Sequence, residues 1–404
     1  MPEEHDAPVV DVAPFRALRY DPAVAGAPAS TSAPAYDDLE RFTYAQHRTA
    51  SPYTVLELLA EGAEADYAPA AAAYRRWRRT GVIVEDAEPA MFRYDIHELR
   101  RGVPSVLRGV LAAVSVGDGL LAHERVNPDR VASRARRLAA VPVDLAPVFA
   151  VHAPARPELR QVLDAPPARP PLVALTDEAG ADHRIWPLAA PHDVQAVVGA
   201  LASVQAVIAD GHHRYEAAGH LAGDGGDTRI LAYLVDGSIH GPQLQAVHRL
   251  LRSVPDPVAL LDRDFDAKPL SWGDVLAALG REDGILLGLR RGGASTLLRA
   301  RDSDALRARL PAGTSDAWRS LDTAVWEHLV HPALGGEVEY HSNLRLAAAA
   351  ADADPTAALF ALRPPSLATV YACAAAGEVM PVKTTWFRPK PRAGLVMRSL
   401  QSGP

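Results

Sequence analysis

Val204-Gln205-Ala206-Val207-Ile208-Ala209-Asp210-Gly211-His212-His213-Arg214-Tyr215-Glu216 is the stretch on which the reading of this chain turns. Its β-branched, apolar first half predicts a buried strand. Asp-Gly then breaks the strand, and helical spacing runs on through Leu221. Outward from this unit, strands are expected at Leu111–Val116 and Leu120–Glu124, joined as a hairpin by Gly117-Asp118-Gly119. A second hairpin is expected from Leu172–Thr176 and His183–Leu188 around Glu178-Ala179-Gly180. Between them Pro128–Ala140 reads as an arginine-rich helix. Helices are also expected at 55–62 and Tyr67–Arg79, the second closed by Gly81 in a left-handed cap. Further strands fall at Thr228–Val235 and Ala357–Leu362, with a hairpin of Ile285–Arg290 and Thr296–Arg299 about Gly292-Gly293. Interleaved strands, hairpins and helices predict a mixed α+β fold, with no internal repeat. At 404 residues two domains are expected. Ser253-Val254-Pro255-Asp256-Pro257 reads as a linker, dividing the chain into 1–252 and 253–404.

Composition excludes several function classes. No apolar run is long enough to cross a bilayer, and the acidic start Met1-Pro2-Glu3-Glu4 lacks the basic end of a secretory signal, so a cytoplasmic protein is expected. The lone cysteine, Cys373, sits in an apolar run and reads as a small buried hydrophobe. A net charge of -7 argues against a nucleic-acid partner. The basic run Tyr74-Arg75-Arg76-Trp77-Arg78-Arg79 reads more simply as the solvated face of a helix. Of 42 basic residues only Lys268, Lys383 and Lys390 are lysines, so a lysine is a departure from this chain's habit. An ammonium is a compact point charge where a guanidinium is a planar fork.

The strand-to-helix junction carries the clearest chemistry. Free N–H groups at a helix start, with the helix dipole, make an anion site. Gly211 has no Cβ to hold a ligand off, Arg214 can grip a phosphate or carboxylate, and His212 or His213 can donate or shuttle a proton. Asp210 could act as a base or hold Mg²⁺. The plainer alternative is that Asp210 only caps the helix and the histidines are surface residues. Adjacent histidines point about 100° apart on a helix, which disfavours a histidine metal pair. Glu124 could supply a second carboxylate, or be one of a surface pair; Asp37, in a Pro-rich loop, is a weaker candidate. Lys383, Arg388 and Lys390 lie on an expected extended stretch with Trp386 and Phe387, either closing over a phosphate or solvated on a packed strand. His248-Arg249 ranks below these as an anion contact.

The run Ile208-Ala209-Asp210-Gly211-His212-His213-Arg214-Tyr215-Glu216-Ala217-Ala218 resembles the signature of domain-of-unknown-function family 1015. The resemblance extends to Pro14-Phe15-Arg16-Ala17-Leu18-Arg19-Tyr20, Ser32-Ala33-Pro34-Ala35-Tyr36-Asp37, His123-Glu124-Arg125 and Met380–Lys390. Ala35 stands where the family usually has a second proline. The unit around 200–222 is also similar to the ParB/sulfiredoxin-like superfamily, which includes free-serine kinases. That resemblance implies a ParB/sulfiredoxin-like catalytic domain over 1–252, with the C-terminal domain closing a cleft. It implies Asp210 as the acidic catalytic residue, with a carboxylate from another segment. Gly211, His212, His213 and Arg214 would form a phosphate cradle. Sulfiredoxin's reactive cysteine has no counterpart in the motif, and no ParB helix-turn-helix is evident.

The expectation is therefore a nucleotide-dependent phosphotransferase acting on a small hydroxylated metabolite such as free serine, with Mg²⁺ and ATP or ADP. Its catalytic residues would be Asp210, His212 and Glu124. Its phosphate or nucleotide contacts would be Gly211, His213, Arg214, Lys383, Arg388 and Lys390, with Asp210 also the metal ligand. A phosphatase or phosphodiesterase, and a non-catalytic nucleotide sensor, are the alternatives. Neither a nucleic-acid nor a membrane partner is expected.

Overall fold

The computed structural model describes residues 9–35, 41–59, 66–100, 102–117, 119–223 and 229–401. Asp37, Asp118 and Thr228 lie outside them. The chain divides into two compact units. One holds residues up to Ala122, Val126–Pro242 and Pro389 onward; the other holds His123–Arg125 and Gln243–Arg388. The chain thus enters the second unit at Gln243, ten residues before the expected linker, and leaves it again at Pro389. Both units mix helices with largely antiparallel sheets, giving the expected α+β class. No helix among the described residues is long and apolar enough to cross a membrane.

The first unit is built on a nine-stranded sheet. Its order is Leu120–Leu121, Ala206–Asp210, Val148–His152, Arg229–Asp236, Val103–Ser115, Met91–Arg100, Asp182–Leu188 and Val173–Thr176, with Val12–Ala13 pairing Val103–Ser115 off that path. The hairpin of Asp182–Leu188 with Val173–Thr176 forms as expected. The hairpin expected at Gly117–Gly119 does not. Both edges of Val103–Ser115 are already taken, by Met91–Arg100 and Arg229–Asp236. Leu120–Leu121 instead runs parallel to Ala206–Asp210, and ends short of the expected Glu124. Burying Val110, Val148, Ile208 and Ile230 against Val197 and Leu201 of the helix Pro191–Leu201 makes the main core. A small sheet in the order Ile83–Glu85, Ala17–Tyr20, Met397–Ser399, Val143–Asp144 ties chain segments far apart in sequence. Trp77, buried under the Arg-rich face of the helix Ala68–Arg79, packs in the cluster beneath it.

The second unit carries a six-stranded sheet in the order Phe265–Pro269, Ala294–Ala300, Leu286–Arg291, Ala358–Ala361, His248–Leu251, Val338–His341. The Gly292-Gly293 hairpin is present, with φ of 53° and 80°. Cys373 is buried and its thiol is pushed up to about 11 by that burial.

Gly109 shows how tightly the first unit's sheet is fitted. A Cβ there would lie 2.1 Å from the carbonyl oxygen of Leu234 on the paired strand. Gly109→Ala is expected to cost roughly 1–3 kcal/mol by overpacking, read as a lower urea midpoint at unchanged slope.

Candidate functional site

The strand Ala206–Asp210 is buried as far as Ala209, and Asp210 is its first residue to reach partial exposure. A register shift against Val148–His152 falls between Ile208 and Asp210. Such irregularities re-aim a side chain, and here Asp210 meets two cations. Its Oδ1 accepts from Lys390 Nζ at 2.6 Å and its Oδ2 from Arg214 Nη2 at 2.7 Å. The Lys390 side chain is 4% exposed and that of Asp210 13%. Burial alone would raise the Asp210 carboxyl, but Lys390 first and Arg214 next hold it below the usual carboxylate range.

Arg214 is oriented inward. Its Nη1 donates to the carbonyls of Ala146 (3.0 Å) and Pro147 (2.7 Å), while its Nη2 holds Asp210. Gly211 makes room for this. Its φ is +100°, and a Cβ would stand 2.8 Å from Arg214 Nη2 and 3.0 Å from Cζ. The glycine is therefore required by the guanidinium lying against it as well as by its left-handed backbone. The Gly211 carbonyl accepts from the amides of Arg214 and Tyr215 and starts the helix His212–Gly223.

The two histidines differ. His212 is buried, and burial pushes it down to about 4, against the opposing pull of Asp210; His213, Arg214 and Lys390 act in the same direction as burial. It is neutral at pH 7. His213 is half-buried, and its Nε2 accepts from the backbone N–H of Asn127 at 3.0 Å. That fixes its proton on Nδ1 in the neutral form. Asn127 in turn caps the helix Pro128–Ala140 through Oδ1, so His213 ties the starts of two helices together.

Next to Arg214 lies a cavity of about 60 Å³, lined also by Arg134, Arg137 and Asp144. That volume holds only a few water-sized groups. Arg137 is 5% exposed, donates to the Val143 carbonyl at 2.7 Å, and is lowered to about 10 by burial. Asp144 accepts from Arg398 (3.0 Å) and the Leu231 amide (2.9 Å), yet burial outweighs these partners and raises its carboxyl. These groups were missed in the sequence. The spacing of Arg134 and Arg137 on one helix face was the available signal.

Of the expected site residues, the first unit thus brings together Asp210, Gly211, His212, His213, Arg214 and Lys390. Glu124, Lys383 and Arg388 belong to the second unit. There Glu124 is half-buried and follows His123, whose Nε2 bonds Thr385 Oγ1 at 3.0 Å. Lys383 has φ of 54°, and its carbonyl accepts from Arg249 at 3.1 Å. Arg249 is therefore a buried structural donor rather than an anion contact. Arg388 ends the strand Trp386–Arg388, opposite Gln243. As a magnesium site Asp210 fits poorly, because both its oxygens already take cationic donors. No group of three or more His, Cys, Asp or Glu suited to a metal ion occurs among the described residues.

The family model described as "Protein of unknown function (DUF1015)" matches residues 12–324, and the chain belongs to that family. No curated protein matches it. Among solved structures, a free serine kinase mutant in complex with AMP is similar over 70% of this chain and 92% of its own, at 14% identity and a TM-score of 0.38. C-terminally truncated SbnI from Staphylococcus aureus is similar over 71% of this chain and 81% of its own, at 13% identity and a TM-score of 0.37. A conserved hypothetical protein from Pyrococcus furiosus is similar over 72% and 96%, at 14% identity and a TM-score of 0.36.

Because folding lowers the His212 pKa from 6.5 to about 4, the unfolded chain binds a proton there first as pH falls. Stability is expected to rise with pH between about 4 and 6.5, with a His212 contribution on the order of 3 kcal/mol. In His212→Asn that part of the slope should vanish, measured as the urea midpoint of each protein at pH 4.5, 5.5 and 7. Parallel pH profiles for the two proteins would contradict the burial of an uncharged imidazole.

Proposed function

We propose that this member of the DUF1015 family binds the phosphates of a nucleotide, ATP or ADP, at the Asp210–Arg214 turn and catalyses phosphoryl transfer involving a small hydroxylated metabolite, with free serine or phosphoserine first. The observation that carries the reading is the pairing of Asp210 with Lys390 and Arg214 at the start of a helix. Two cations meet one carboxylate there, so the centre keeps an excess positive charge beside the helix N-terminus, which suits an anion. Arg134 and Arg137, which line a cavity together with Arg214, add to that field.

In this reading Lys390 is the partner shared with phosphate and Arg214 the structural one. An ammonium has three donors and can hold Asp210 and a phosphate oxygen together. The Arg214 guanidinium is anchored on Ala146 and Pro147 and sets the carboxylate's direction. Any Mg²⁺ arrives on the nucleotide phosphates as part of the substrate. With Lys390 bridging to phosphate, the Asp210 carboxylate still has a lone pair to accept the proton of the substrate hydroxyl. The hydroxyl oxygen then bonds to phosphorus while the bond to the departing phosphate oxygen breaks. His212, neutral at the same turn, can donate to a phosphoryl oxygen.

One observation favours a second reading, a nucleotide sensor without catalysis. A carboxylate held below its usual range by two cations is a weak base.

Titration calorimetry with ATP, ADP and AMP, with and without Mg²⁺, followed by a phosphoryl-transfer assay with serine, tests these readings. Lys390→Met is expected to weaken nucleotide binding at least tenfold. Asp210→Asn should keep binding and lower transfer about 100- to 10,000-fold, the range for a general base. Full transfer by Asp210→Asn would remove the aspartate from its role. Binding without turnover supports the sensor, and no nucleotide binding at all overturns both.

A further inference from the structure

The second unit holds a pocket of about 300 Å³ that the nucleotide reading does not use. Its lining includes the ion pair of buried Asp322 with half-buried Arg363. Arg363 gives Asp322 its Nε (2.7 Å) and Nη2 (2.5 Å), and gives the Gly284 carbonyl Nη2 as well (2.7 Å). Asp322 also takes the Arg363 amide at 3.2 Å. This pair is largely saturated by its own bonds, so it shapes the wall and leaves the recognition of a ligand to its neighbours. Thr323 and Thr384, both buried, bond one another at 2.8 Å, and the Thr384 hydroxyl passes its hydrogen to the Pro381 carbonyl at 2.6 Å. Ser366 and Thr369 add a second hydroxyl pair at 2.8 Å.

Two lining residues are differently placed. Among the described residues Arg307 meets only the exposed Asp304, through Nη1 at 3.1 Å, and its side chain is half-buried at the pocket wall. Asp283, on the same pocket, is exposed. The pocket therefore offers one guanidinium and one carboxylate beyond the saturated pair, together with its hydroxyls. No aromatic side chain lines it to stack a base, and its two arginines are matched by two aspartates, which does not suit a polyanion. We propose that it binds a small zwitterion of amino-acid size, whose carboxylate meets Arg307 and whose ammonium meets Asp283.

Calorimetric titration of the full chain with glycine and L-alanine, which have no hydroxyl to phosphorylate, tests this separately from the Asp210 centre. Saturable binding of both is expected, with none of succinate (no ammonium) or ethanolamine (no carboxylate). Arg307→Gln and Asp283→Asn should each weaken binding at least tenfold. Both positions reach the surface, and unchanged melting temperatures would confirm that the variants fold. Asp210→Asn should leave amino-acid binding as it is. Three results would overturn the proposal: no saturable binding of either amino acid, equal binding of succinate or ethanolamine, or binding that survives both pocket variants. Loss of nucleotide binding in Lys390→Met bears only on the other site.

Discussion

A buried charge is tolerable only if it is answered, and in the first unit three buried cations on one short stretch of chain each meet a carboxylate, two of these largely buried and that of Glu178 exposed. Lys390 reaches Asp210, Arg392 reaches Glu178, and Arg398 reaches Asp144. All three cations are less than a tenth exposed. Removing one partner of a buried pair leaves an uncompensated charge costing about 3–5 kcal/mol, whereas making the pair is near break-even. The pairs thus contribute less to net stability than to specifying one arrangement, and of the three it is the Lys390 pair that, with Arg214, holds Asp210 in a dry, cationic setting. Chemistry at that junction, of whatever kind, inherits its geometry from this constraint.

The same constraint explains the form of the Asp210–Arg214 turn. Glycine at 211 is usually understood as clearing space for a ligand. Here the nearest atoms to its missing Cβ belong to Arg214, so the motif is partly self-referential: the glycine admits the arginine, the arginine fixes the aspartate, and the carbonyls of Ala146 and Pro147 fix the arginine. The two histidines divide the remaining work, His212 as a neutral buried ring and His213 as a clasp on Asn127.

Much of this was legible in the sequence where the signal is local. The buried run before Asp210, the helix after it, the helix Pro128–Ala140 and the hairpin at Gly180 each follow from short-range propensity and turn chemistry. The Gly117 hairpin was misread because a turn signal does not say whether a strand edge is vacant, and both edges of Val103–Ser115 are occupied. The strand Met91–Arg100 escaped notice for another reason. Arg93 and Asp95 are buried within it, and Asp95 pairs with both Arg93 and Arg108, so its pattern looks polar where the fold is dry. Lys390 stood out as a lysine in an arginine-rich chain, but its partner lies 180 residues away, and no periodicity spans that distance.

The return of the chain at Pro389 has a consequence for synthesis. A polypeptide leaves the ribosome from its N-terminus, at roughly 5–20 residues per second. The second unit's residues 243–388 therefore emerge before the segment that completes the first. For some ten to thirty seconds on that scale the nascent first unit must carry Asp210 with Arg214 alone, Glu178 and Asp144 without Arg392 and Arg398, and Ala17–Tyr20 without its partner Met397–Ser399. During that interval one edge of Ala17–Tyr20 and the carboxylates of Asp210 and Asp144 await the segment that completes them.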